Sequence, residues 1–153
     1  MQLDWNRPTA NRPAYIKVWQ ITESSPQALK RLKRWRNQPD GAVGTCLLTR
    51  LAVLRLLSNR VAMNGNPVKP REALAAWQQL ADDPRSVHLE SEPPTHERRF
   101  TALVAGRDPT PNLWTDAWLA ALALSLDYEM TTFDRGFKSF RGLRVRLLTP
   151  PDR

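Results

Sequence analysis

Cysteine is nearly absent: Cys46 is the single one in 153 residues. The chain therefore cannot build an internal disulfide framework or a four-cysteine zinc module, and it fits a reducing compartment. No apolar run approaches the roughly 18 residues that would span a bilayer. Met1 to Ala14 contains no apolar stretch of the kind found in a secretory signal, so a cytoplasmic protein is expected. There is no G-x-G-x-x-G turn, no P-loop and no Ser-His-Asp grouping, and neither an internal repeat nor a low-complexity tract. Acids are scarce at one end: residues 1–60 carry Asp4, Glu23 and Asp40 against 11 Lys and Arg.

What remains is enough for one folded domain. The chain is 41% hydrophobic with six tryptophans, which excludes a disordered polyelectrolyte. The formal charge of +8 sits wholly in residues 1–60, because residues 61–153 hold 12 bases and 12 acids. Such asymmetry points to a polyanion partner, nucleic acid or anionic lipid. The plainer alternative is a solvated cationic face.

Helical and strand-like segments alternate along the chain. Tyr15 to Ile21 has the β-branched and aromatic content of a strand. Ser25-Pro26 reads as a helix start, and the helix to about Asn37 is basic through Lys30, Arg31, Lys33, Arg34 and Arg36. Ala42 to Leu48 reads as a buried strand, and Thr49 as the cap of a helix reaching Asn59. Arg71 to Leu80 is a third helix, with Ala73, Leu74 and Trp77 facing inward. Ser86 to Glu90 alternates like a strand. A fourth helix follows Pro93-Pro94-Thr95, beginning with a solvated or capping His96. Trp114 to Leu126 is a helix buried on more than one side, with Thr115 as its cap. Glu129 to Phe133 and Leu143 to Leu148 are strands. This order predicts a mostly parallel sheet between layers of helices.

The chemistry gathers at Asp116 and Asp134. The helix starting near Asp116 travels about 18 Å from the sheet edge, and the next strand returns about 17 Å to it. Both carboxylates should therefore meet at the carboxyl edge, where open α/β folds place their sites. Singly, Asp116 is an ordinary first-turn acid and Asp134 an ordinary turn residue; their convergence is what singles them out. Two carboxylates with a nearby hydroxyl, Thr132 or Thr115, form an oxygen-only ligand set suited to Mg²⁺ or Mn²⁺. Beside a basic surface, the fitting substrate is a phosphodiester.

The segment Asn112-Leu113-Trp114-Thr115-Asp116-Ala117-Trp118-Leu119-Ala120-Ala121-Leu122-Ala123, followed by Thr132-Phe133-Asp134-Arg135-Gly136-Phe137 and Phe140-Arg141-Gly142-Leu143, resembles the PIN-domain toxins of the VapC type. Their pattern is N-L-x-T-D-A-x-L-A-A-L-A and then T-x-D-x-x-F-x-x-F-x-G-L. The resemblance extends over roughly residues 25 to 148. It implies a PIN-like α/β/α sandwich and a Mg²⁺- or Mn²⁺-dependent endoribonuclease, held inactive by a VapB-like antitoxin and commonly dimeric. It also implies that Asp116 and Asp134 are metal-site acids, supported by Thr132, Asn112 and Thr49; the basic helix, through Lys30, Arg31, Lys33 and Arg34, is expected to hold the RNA backbone. No membrane association is implied.

Two departures stand out. The family opens with a buried strand ending in D-x-N, and Asp4-Trp5-Asn6 matches only those three letters before Arg7-Pro8. Asp4 is thus the candidate third metal ligand, within a first strand that is missing or distorted. Residues 1–24 are set apart as an atypical, poorly ordered segment, with the PIN-like domain over 25–153. The family's glutamate after the threonine is here Arg50, a cation expected to pair with Asp116 or Asp134. If both acids are lost, the alternative is a degenerate PIN domain that binds RNA or an antitoxin without cleaving. A membrane-surface or structural basic module is the third reading.

Overall fold

A computed structural model describes residues 15–17, 38–63 and 65–148. Short apolar runs form five strands: β1 (Tyr15–Lys17), β2 (Val43–Cys46), β3 (Ser86–Leu89), β4 (Glu129–Thr132) and β5 (Val145–Leu147). They build one sheet in the order β3-β2-β1-β4-β5, and every pairing is parallel. The strand expected over 15–21 is therefore present at Tyr15–Lys17, in the middle of the sheet. Apart from these three residues, the segment set apart over 1–24 lies outside the described residues, as does the basic helix expected after Ser25.

Among the described residues, four helices lie between the strands: α1 (Leu47–Leu57), α2 (Pro70–Ala81), α3 (His96–Val104) and α4 (Leu113–Ser125). Parallel strands require such crossovers, and the buried helix–sheet–helix layering follows. The fold is a PIN-like α/β/α sandwich. Helix α4 is its centrepiece: Ala117, Leu119, Ala120, Ala121, Leu122 and Ala123 are all buried. It packs with Met130 of β4, with Phe137 and Phe140, and with Phe100 and Leu103 of α3. On α1 and α2, Val53, Ala73 and Trp77 are buried outside this cluster.

Several local expectations are corrected. Thr49 and Thr115 are not caps; each lies at the third position of its helix, after Cys46 and Asn112. The Thr49 hydroxyl accepts from the Cys46 N–H and donates to the Cys46 carbonyl, both at 2.8 Å. That reach explains the misreading, since the threonine does serve the helix start, but from inside. Leu74 is 48% exposed, because Ala73 and Trp77 already fill the inward stripe of α2. His96 is buried, its Nε2 at 3.1 Å from the Trp118 carbonyl and its ring 4.7 Å from the Trp118 ring. It locks α3 to α4, where one ring can bury area and satisfy a carbonyl together.

Candidate active site at the carboxyl edge of the sheet

Asp116 lies in the first turn of α4, its N–H donating to the Asn112 carbonyl at 3.0 Å. Asn112 is the residue before the helix, and the Thr115 hydroxyl also donates to its carbonyl, at 3.0 Å. Asp134 lies two residues beyond β4. The buried Thr132 hydroxyl accepts from the Asp134 N–H at 3.0 Å. Asp134 Oδ1 in turn accepts from the Gly136 N–H at 2.7 Å and caps the short 3₁₀ turn Arg135–Ser139. The backbone of Asp134 and one carboxylate oxygen are thus both fixed.

The two acids feel each other. Burial, and with it the charge of Asp134, pushes the Asp116 carboxyl above its ordinary value. Neither forms a salt bridge among the described residues, so the expected pairing with Arg50 does not occur. Strand β1 separates the end of β2, which leads to Arg50, from the end of β4, which leads to Asp134. Two strand spacings are about 10 Å, so the two ends are not neighbours along the edge.

Two half-buried or exposed carboxylates with uncompensated repulsion suit a hard cation in kind. In number they are short of a full site: among the described residues, no group of three or more His, Cys, Asp or Glu could hold a metal ion. Asp4, Lys30, Arg31, Lys33 and Arg34 lie outside the described residues. At the start of α4 lies a cleft of about 470 Å³ whose lining reaches Thr115 but includes neither acid. Leu47 and Leu48 of α1 form one wall, Trp114 and Thr115 of α4 the other, and Glu90 and Glu92 the rim.

Sequence reasoning did not single out Gly136, whose N–H orients Asp134. Its signal was present in Asp134-Arg135-Gly136, the D-x-G spacing of an Asx turn. The cleft had no sequence signal, because its walls come from segments far apart in the chain.

A parallel sheet layered by helices, with a helix-start acid meeting an acid from the following strand, defines a PIN-type domain. No family model matches the chain. It is similar to Ribonuclease VapC41 of Mycobacterium tuberculosis, in strain CDC 1551 / Oshkosh and in strain H37Rv. Each is 38% identical over 111 residues, covering 71% of this chain and 76% of the relative. The chain belongs to the VapC-type PIN-domain family.

Proposed function

We propose that this protein is an endoribonuclease of a VapBC-type toxin–antitoxin system, hydrolysing RNA phosphodiesters with water and Mg²⁺ or Mn²⁺. The observation that carries the reading is the convergence of Asp116 and Asp134, close enough that one charge raises the other's proton affinity. Membership of a family whose relative VapC41 is named a ribonuclease supports it.

Asp116 and Asp134 would hold the cation, with Asp4 as the candidate third ligand. When bound, the metal would polarise a phosphoryl oxygen and lower the pKa of a water near it. Thr132 and the Gly136 N–H keep Asp134 turned to the site, leaving Oδ2 for the ion. Asn112 fixes the start of α4 and so the position of Asp116. Thr49 ties α1 to the end of β2. Lys30, Arg31, Lys33 and Arg34 supply charge for the RNA backbone, a VapB-like antitoxin is the regulatory partner, and a homodimer is the proposed assembly.

A second reading, a PIN domain that binds RNA or antitoxin without cleaving, is favoured by Arg50 standing where the family carries an acid. One experiment separates them. Purified full-length chain is incubated with single-stranded RNA in Mg²⁺, Mn²⁺ or EDTA. The nuclease reading expects metal-dependent fragments, lost on Asp116→Asn. Folded wild type that binds RNA and leaves it intact in both metals supports the second reading.

A further inference from the structure

We propose that Arg50 is a phosphate-binding residue, gripping the RNA backbone across the sheet from Asp116 and Asp134. The inference rests on the ribonuclease reading and assigns to Arg50 a contact with the substrate, in place of metal ligation.

The sheet register carries the placement. Gly44 of β2 and Met130 of β4 both lie level with Ile16 of β1. Cys46 and Thr132 therefore end their strands level with each other, two strand spacings apart, about 10 Å. Arg50 follows Cys46 by four residues, at the end of the first turn of α1, so its Cα stays within about 6 Å of that edge. Asp134 follows Thr132 by two residues, within about 7 Å of the same edge. A cation and an anion pair thus stand at one edge of the sheet, on either side of the end of β1.

Charge accounts for why Arg50 waits for a ligand. The sequence has no acid between Asp40 and Glu72, so the helix offers it no local carboxylate. Among the described residues, three arginines pair with acids, Arg85 with Asp83, Arg144 with Asp127 and Arg146 with Glu129, and Arg50 is among those that do not. Arg50 is half-buried and forms no ion pair among the described residues. Half-burial strips part of the water from a guanidinium, which favours an incoming anion over distant solvent. A guanidinium presents a planar fork of N–H donors that matches two phosphate oxygens at once. On the far side of the phosphate, the same carboxylates that repel each other would repel the substrate, and Arg50 offsets that repulsion.

The test is RNA binding without cleavage. Full-length chain in EDTA is titrated with a fluorescein-labelled single-stranded RNA of mixed sequence, over a range of salt. Arg50→Gln is expected to weaken binding about tenfold, the loss of one charge-assisted contact. It should also reduce the salt slope by about 0.7, one phosphate on a single strand. Arg50→Lys keeps the charge and so the slope, but recovers only part of the affinity. If Arg50→Gln does not fold, the Arg50→Lys result decides by itself: wild-type affinity overturns the proposal. Arg55→Gln, on the same helix but more than a turn further from the edge, should have a smaller effect. Arg50→Gln within twofold of wild type, or no more damaging than Arg55→Gln, overturns the proposal. Wild type that binds no RNA at all contradicts the ribonuclease reading instead.

Discussion

Asp116 is held at a cost that has a pH signature. Burial and the charge of Asp134 raise its folded-state value above the ordinary 3.8, so the folded chain binds this proton more tightly than the unfolded one. Stability therefore falls as pH rises from 3.8 through the raised value, and the loss is complete above it. Asp116→Asn should raise the melting temperature at about pH 7.5, with a gain that shrinks as the pH is lowered towards 3.8. Thermal melts of both proteins across that range check it; equal melting temperatures at the upper end would remove the argument. Gly136 is the second residue with a specific consequence. A Cβ there would lie 2.9 Å from Asp134 Oδ1, so Gly136→Ala must swing that carboxylate away. We expect about tenfold weaker Mn²⁺ binding, one charge-assisted contact misplaced, with little change in melting temperature. The role of Gly136 was legible only as a turn signal, since the letters D-R-G do not say which acid oxygen the N–H will hold.

At the scale of elements, α4 decides whether the acids meet. Its alanines let it lie close against β4 and α3, and Leu122, 1% exposed, fills the contact. Leu122→Ala should cost about 2–5 kcal/mol, measured by urea denaturation, because a rigid helix–sheet contact relaxes poorly around a cavity. The helices and strands after Gly41 were legible from apolar runs and turn residues, and boundaries moved by only a residue or two at most ends. The helix starts were harder. Thr49 and Thr115 carry cap-type side chains at the third position, where a hydroxyl can serve the same backbone from within. Orientation was harder still: Leu74 and His96 were assigned to the wrong side because composition cannot say which neighbour already fills the inward stripe.

At the scale of the molecule, one polar axis organises the chain. All five strands point the same way, so the ends of β2 and β4 and the start of α4 bring residues 50, 134 and 116 to one edge from distant parts of the sequence. The crossover arithmetic made the meeting of Asp116 and Asp134 legible without coordinates. The fate of Arg50 was not, since pairing with an acid and standing across β1 from it look alike in sequence. No helix among the described residues is long and apolar enough to cross a membrane. The whole +8 excess lies in residues 1–60, and Arg50 is part of it. The account depends on the two acids acting as one cation site. Electron paramagnetic resonance titration of the full-length chain with Mn²⁺ tests this most directly. Wild type should bind the ion saturably, and Asp116→Asn and Asp134→Asn should each weaken binding at least about tenfold, as loss of a charged ligand requires. Folded wild type that binds no Mn²⁺, or binding that survives both substitutions unchanged, would contradict it.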